Sequence, residues 1–177
     1  LNDVKNVRLV RGSHIVVRKK FEHDRAYIFQ NSDERILFAI PYEGNFTLIG
    51  TTDIEQTSLT NGPEISQLEI DYLCEMANAY FQTPVTREDI VWTYSGVRPL
   101  YDDGASKAQE ATRDYVIRTE NGTGNGRLLN IFGGKITTYR RLGHAVMHEV
   151  ERVLSKKATK AKPVGNLPGG NFPIDGF

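Results

Sequence analysis

The chain has 177 residues, of which 39% are hydrophobic and 25% are charged. This composition is typical of one globular domain with room for part of a second, and it excludes collagen-like and wholly disordered proteins. The 22 lysine and arginine residues balance 22 aspartate and glutamate residues, so no net charge attracts nucleic acid, which we exclude as a partner. The single cysteine, Cys74, predicts a reducing compartment, and no Cys/His spacing indicates a metal site.

Short runs rich in β-branched and aromatic residues fill the beginning of the chain. Turn formers separate these runs by only a few residues, which favours hairpins and therefore antiparallel neighbours. We predict an antiparallel-dominated sheet whose first strands span residues 7–17, 26–30, 35–42 and 46–52.

A helix is predicted over residues 65–81. Ser66 and Glu69 stand at the spacing of a capping box, in which the two side chains satisfy unpaired amides of the first turn. One apolar face is expected to pack on the sheet, while Glu69 stays in water with the other acidic residues of the helix. The apolar residues recur at three- and four-residue steps and are Ile65, Leu68, Tyr72, Leu73, Met76, Tyr80 and Phe81.

The second half of the chain is predicted to contain three strands and a further helix. One strand covers residues 90–100, and two others, at 113–119 and 127–132, pair across a polar turn. The second helix covers residues 137–154, and the Lys-, Gly- and Pro-rich residues 155–177 are interpreted as a linker or disordered tail. The predicted class is α+β, an antiparallel-dominated sheet with packed helices.

Two glycines, Gly133 and Gly134, separate a predicted strand from a predicted helix. Glycine lets the backbone approach a ligand closely, and the N–H groups of a helix start attract an anion or a polarised carbonyl. The segment therefore suits a flat, electron-accepting cofactor, and the adjacent Lys135 favours this interpretation. The alternative is a tight strand-to-helix turn that binds nothing.

His14 follows Gly12 inside an otherwise apolar predicted strand. A glycine in a strand interior often marks the close approach of a ligand or of another backbone, and a histidine accepts protons near neutral pH. His14 is thus a candidate proton acceptor. The alternative is a histidine satisfied by a neighbouring backbone carbonyl.

Two further segments carry polar groups at strand ends. Arg98, restrained by Pro99, presents a rigid guanidinium suited to a phosphate or carboxylate, or it caps a strand end. The run Thr51, Thr52 and Asp53 either hydrogen-bonds a polar substrate or forms an Asx-type turn.

Four motifs occur together in one order: RGSHIVV at residues 11–17, IGTTD at 49–53, YSGVRPL at 94–100 and FGGKITTYR at 132–140. Over residues 7–154 they closely resemble the flavin-dependent (aerobic, quinone-linked) glycerol-3-phosphate dehydrogenase family. No other part of the chain resembles a known family.

The resemblance implies a D-amino-acid-oxidase-like flavoprotein. Residues 9–100 would form its substrate-binding (cap) domain, and residues 101–154 would form an incomplete return segment of its FAD-binding domain. The family's N-terminal dinucleotide fingerprint has no counterpart here, and the chain begins at Leu1 without an initiator Met. We therefore expect an internal fragment that is inactive by itself.

The family oxidises glycerol 3-phosphate at C2 to dihydroxyacetone phosphate, with hydride passing to FAD and electrons onward to quinone. The resemblance implies FAD as cofactor, no metal, and a cytoplasmic enzyme that is peripheral on the inner membrane. It makes His14 the candidate base or hydroxyl partner, Arg98 a phosphate or oxygen clamp, and Lys135 a catalytic neighbour of flavin and substrate. The other implied contacts are Gly133, Gly134, Ile136 and Thr137 at the flavin pyrimidine ring, and Thr51, Thr52 and Asp53 at the substrate.

Two alternatives stay open. Another amine or hydroxy-acid oxidase of the same fold would share the cap architecture. A non-catalytic anion-binding module would account for the missing fingerprint and the basic tail.

Overall fold

The computed structural model describes residues 7–60, 62–104, 111–122, 126–159, 165–166 and 168–173. The chain forms two compact units. The first contains Leu1–Val116 and Phe132–Gly134, and the second contains Ile117–Ile131 and Lys135–Phe177.

A six-stranded sheet forms the first unit, and all of its paired strands are antiparallel. Its strands are β1 Val7–Arg18, β2 Tyr27–Gln30, β3 Ile36–Tyr42, β4 Phe46–Gly50, β5 Ile54–Glu55 and β6 Ile90–Tyr101. The order from one edge is β2, β3, β4, β1, and β6 pairs with the other side of β1. The predicted antiparallel-dominated sheet is confirmed.

The central strand β1 has one interrupted edge. Because β6 pairs with β1 along nearly its whole length, β4 and β5 share the opposite edge of β1. β4 ends where Gly50 lies opposite His14, and β5 begins where Ile54 lies opposite Arg11. Residues 51–53 leave the ladder between these points, so the predicted strand extended two residues too far.

Helix α1 spans Gln67–Asn78 and begins at the predicted capping box. Glu69 N donates to Ser66 Oγ at 3.3 Å, and Ser66 N donates to Glu69 Oε2 at 2.8 Å. The helix covers one face of the sheet and closes its apolar core, which consists of Ile15, Val17, Leu37, Ala39, Ile49, Leu73, Cys74, Ala77 and Val85.

Two side chains of α1 were predicted wrongly. Glu69 is only 3% exposed, whereas Leu68 is 81% exposed. Residues four apart share a helix face, so the row that contains Glu69 and Leu73 lies on the sheet and Leu68 lies beside it. The hydroxyl groups of Ser13 and Thr52 lie beneath this row and donate to the Glu69 carboxylate, which makes its burial possible.

The second unit contains most of a two-stranded sheet, β7 Val116–Asn121 with β8 Arg127–Phe132, and helix α2 Tyr139–Leu154. This confirms the predicted pair and helix. β7 begins later than predicted because Asp114 Oδ1 accepts the amide of Tyr115 locally, at 2.9 Å.

Part of the predicted linker or tail, residues 155–159, 165–166 and 168–173, forms neither helix nor strand. The remaining residues of that segment lie outside the described residues, as do residues 123–125 of the turn between β7 and β8. No helix in the described part of the chain is long and apolar enough to cross a membrane.

Candidate active site

The sheet face that α1 leaves uncovered carries His14 and Arg98. Side chains alternate along a strand, so residues at even positions of β1 point away from α1. Residues directly opposite in an antiparallel pair share a face, and β6 places Tyr94 opposite His14 and Arg98 opposite Val10. The structure therefore brings together two polar groups that are far apart in the sequence.

Arg98 lies across the backbone of Gly12. A Cβ built at Gly12 would stand 2.6 Å from Arg98 Cζ, so any other residue here would displace the guanidinium. The strand glycine thus marks a close approach, as predicted, but the group that approaches is a side chain of the same chain.

Arg98 is held by the segment that leaves the ladder. Its Nη1 donates to Asp53 Oδ1 at 3.1 Å, and its Nη2 donates to Thr51 Oγ1 at 3.1 Å. These contacts leave donors of the guanidinium fork for an anion. Burial lowers the pKa of Arg98 and Asp53 opposes that shift, yet an arginine stays charged at physiological pH.

A second arginine, which the sequence analysis did not single out, joins this cluster. Arg113 Nη2 lies 2.8 Å from Asp53 Oδ2, so one carboxylate bridges two guanidinium groups. The cluster formed by Arg98, Asp53 and Arg113 retains a net positive charge and is suited to a phosphate. Arg113 belongs to none of the sequence motifs, so only its position in the fold identifies it as a member of this cluster.

His14 is stacked on Tyr94, with ring centroids 4.7 Å apart and an angle of 8° between the ring planes. Its Nδ1 is buried and has no hydrogen-bond partner among the described residues, which argues against a histidine satisfied by backbone. Burial and, secondly, the charge of Arg98 lower the pKa of His14 below 6.5. The imidazole is therefore neutral at pH 7 and able to accept a proton.

Gly50 makes room for this ring. A Cβ built at Gly50 would stand 2.7 Å from His14 Cγ. Arg98 thus lies over Gly12 and His14 lies over Gly50, so a glycine without a side chain leaves the space for each of the two polar groups.

The structure turns Thr52 away from this face. Its side chain is 1% exposed, and its hydroxyl donates to Glu69 Oε1 at 2.7 Å. The expected contact between Thr52 and substrate is therefore not supported, because residues 51 and 53 hold Arg98 while the side chain between them points to the α1 side.

The glycine pair ends β8. Gly133 and Gly134 have φ angles of +68° and +104° and belong to the first unit. Lys135 begins the second segment of the second unit and precedes a 3-10 turn at Ile136–Thr138 that leads into α2. The Ile136 side chain is 88% exposed, and the first N–H groups of such a turn have no partner within it.

Residues 1–140 match the family model described as FAD dependent oxidoreductase. The chain belongs to this family. It is 42% identical over 169 residues to the aerobic glycerol-3-phosphate dehydrogenase of Escherichia coli (strain K12). This match covers 96% of this chain and 34% of that protein. It is 45% identical over 168 residues to the D-erythritol 1-phosphate dehydrogenase of Brucella abortus (strain 2308), covering 95% of this chain and 33% of that protein.

A solved structure, that of the glycerol-3-phosphate dehydrogenase from Bacillus halodurans complexed with FAD, matches with a TM-score of 0.65 at 28% identity. The match covers 88% of this chain and 29% of that chain. The chain thus spans about a third of the length of the relatives that it matches. The family resemblance, the D-amino-acid-oxidase-like flavoprotein fold and FAD as the family's cofactor are confirmed.

The residues after β8 fit such a cofactor. Gly133 and Gly134 adopt positive φ angles, which glycine reaches without strain, and neither adds a side chain at the strand end. Unpaired N–H groups at the start of the following turn are suited to the polar edge of a pyrimidine ring.

Proposed function

We propose that this chain is the substrate-binding and flavin-facing part of an FAD-dependent dehydrogenase that oxidises glycerol 3-phosphate to dihydroxyacetone phosphate. The observation that carries the proposal is a half-buried histidine on the sheet face that also carries Arg98, which forms a cluster with Asp53 and Arg113. A phosphorylated alcohol offers an anion for the cluster and a hydroxyl proton for the histidine. The names of the relatives from Escherichia coli and Bacillus halodurans agree with this substrate.

In this proposal Arg98 and Arg113 bind the phosphate, and Asp53 and Thr51 hold Arg98 in place. His14 accepts the proton of the C2 hydroxyl while hydride leaves the same carbon. FAD, when bound, supplies the hydride acceptor.

The flavin contacts of this proposal are those that the family resemblance implies. Gly133 and Gly134 give the pyrimidine ring access to the backbone, and the N–H groups of Ile136 and Thr137 stabilise negative charge at its polar edge. The family resemblance also assigns Lys135 to flavin and substrate.

We further propose that residues 9–100 are the cap domain, 101–154 the return segment of the FAD-binding domain, and 155–177 a linker or tail. In the whole protein, electrons pass to quinone at the inner membrane, to which the cytoplasmic enzyme binds peripherally. These proposals rest on the family resemblance, and a test is co-sedimentation and quinone reduction with membrane vesicles.

A second candidate substrate is D-erythritol 1-phosphate. The Brucella abortus relative named for it is 45% identical to this chain. Both substrates carry a phosphate one carbon away from a secondary alcohol, so the same arginine cluster and histidine serve either. The two differ in length by one hydroxylated carbon.

The test is an enzyme, hereafter the chimera, in which this chain replaces the matching segment of the Escherichia coli relative. The flavin-loaded chimera is assayed with both substrates and an artificial electron acceptor. We expect oxidation of glycerol 3-phosphate with the higher kcat/KM, and Arg98→Ala is expected to raise KM about 10- to 100-fold because a charge-assisted contact is lost.

A higher kcat/KM for D-erythritol 1-phosphate would favour the second candidate. A flavin-loaded chimera that oxidises neither compound would contradict the proposed function. An unchanged KM in a well-folded Arg98→Ala variant would remove Arg98 from the site.

A further inference from the structure

A buried carboxylate lies behind the candidate site, on the α1 side of the sheet. Glu69 Oε1 accepts from Ser13 Oγ and from Thr52 Oγ1, both at 2.7 Å. Its other oxygen, Oε2, accepts from Arg11 Nη2 at 2.7 Å and from the amide and hydroxyl of Ser66 at 2.8 Å. Both oxygens are thus fully engaged by donors.

A capping box does not explain this arrangement. Capping requires only the reciprocal bonds between Ser66 and Glu69, and those occupy one oxygen of the carboxylate. The second oxygen faces the sheet and accepts from two hydroxyls, that of Ser13 in β1 and that of Thr52 in the segment between β4 and β5. Burial raises the pKa of Glu69, but hydrogen bonds from Ser66, Thr52 and Ser13 outweigh it and lower the pKa below its ordinary value. Glu69 therefore stays ionised.

Thr52 connects this carboxylate to Arg98. Residues 51–53 have left the β ladder, and the backbone bond that ties them to β1 is Thr52 N to Ser13 O at 3.3 Å. Thr52 Oγ1 accepts from Ser13 N at 2.9 Å while it donates to Glu69. The neighbours of Thr52 on either side, Thr51 and Asp53, accept from Arg98 on the other face.

We propose that Glu69 is a positioning residue that acts through Thr52 to hold Thr51 and Asp53 against Arg98, and so sets the guanidinium for the anion. The proposal rests on the proposed function for the identity of that anion. Glu69 itself touches no substrate, because the sheet stands between it and the open face.

The chain offers a matched pair of variants. Thr52→Val removes the hydroxyl that joins Glu69 to the Arg98 segment and keeps the shape of the side chain. Ser13→Ala removes a bond of the same 2.7 Å length to the same carboxylate oxygen, together with the 2.8 Å bond to Ser95 Oγ, but leaves the Thr52 connection intact. Thr52→Ser restores the hydroxyl and serves as the conservative rescue.

The first readout needs neither substrate nor cofactor. The NMR order parameter of the Arg98 Nε–H bond is measured in the full 177-residue chain and in each variant. We expect it to fall below about 0.6 in Thr52→Val and in Glu69→Gln, and to stay near the parental value in Ser13→Ala and Thr52→Ser. Melting temperatures and amide spectra report whether each variant is folded.

The second readout is the Kd of glycerol 3-phosphate, taken from a titration of the same samples. Thr52→Val is expected to raise the Kd about tenfold, and Thr52→Val with Glu69→Gln is expected to raise it no further, since both changes act on one path. Ser13→Ala is expected to leave the Kd unchanged.

Failure of the two proposals is distinguishable. An Arg98 order parameter that is equal in all folded variants would overturn the positioning role, as would equal losses in Ser13→Ala and Thr52→Val. If Glu69→Gln does not fold, Thr52→Val alone decides. A parental chain that orders Arg98 through Thr52 but does not bind glycerol 3-phosphate would instead contradict the proposed function.

Discussion

Replacing Gly12 with alanine is expected to displace Arg98 without unfolding the sheet. The added Cβ would lie 2.6 Å from Arg98 Cζ, well inside the distance of about 3.5–4.0 Å at which carbon atoms attract. The atoms that it meets form the end of a flexible side chain, so the guanidinium moves and the backbone stays. The moved guanidinium loses its bonds to Thr51 and Asp53.

The expected loss of affinity comes from the contact that the displaced guanidinium no longer makes with the phosphate. A hydrogen bond between charged groups contributes about 1.5–3 kcal/mol, which corresponds to a roughly 10- to 150-fold rise in the Kd of glycerol 3-phosphate. Stability should change little, because the gain of about 0.4–1 kcal/mol that a Gly→Ala replacement gives through the unfolded state is opposed by the loss of the Arg98 hydrogen bonds to Thr51 and Asp53.

Gly96→Ala is the matched control. Gly96 lies directly opposite Gly12 in the β1–β6 pair, and a Cβ built there has nothing within 4 Å. Titration with glycerol 3-phosphate and thermal unfolding of both variants give the two quantities. Parental affinity in Gly12→Ala, or equal weakening in both variants, would refute the reasoning.

Three further predictions concern His14 and the cofactor. In the flavin-loaded chimera, His14→Asn should lower turnover by roughly 100- to 10,000-fold and remove the acidic limb of the pH profile, whereas a near-parental rate would end its role as base. Because burial and Arg98 lower the pKa of His14 below 6.5, the unfolded chain binds that proton more tightly, so stability should fall as pH drops from 6.5 towards the lowered pKa. Urea unfolding at several pH values should show a shallower fall in His14→Asn, and equal slopes would contradict this. The 177-residue chain alone should lose FAD on gel filtration, and a flavin spectrum that elutes with the protein would show otherwise.

Local signals were sufficient for most of the fold. The capping box at Ser66 and Glu69 is a short-range pattern, and it placed the start of α1 correctly. Turn-forming segments of only a few residues predicted hairpins between the first strands, and all the strand pairs of the first unit are antiparallel. Each of these features depends on residues close together in the chain, so spacing alone reveals it.

The parts that the sequence did not reveal depend on distant residues. Gly12 was expected to mark a close approach, but nothing nearby indicates that Arg98 is the group that approaches. Arg113 has no pattern of its own and acquires a role only because Asp53 lies 2.8 Å away. Glu69 was expected in water because acidic residues on a helix usually are, and hydroxyls from two other segments reverse that expectation.

Side chains along β1 alternate between the two faces of the sheet, and this alternation links the stability of the sheet to its chemistry. Ser13 faces α1 and binds Glu69, while the next residue, His14, faces the open side. A shift of one residue in the register of β1 would exchange these faces, burying the imidazole under α1 and exposing the hydroxyl. The apolar residues Ile15 and Val17 prevent this shift, since both are fully buried against α1 and would be exposed by it. The core under α1 therefore determines which side chains of β1 reach the open face, although none of its residues lies on that face.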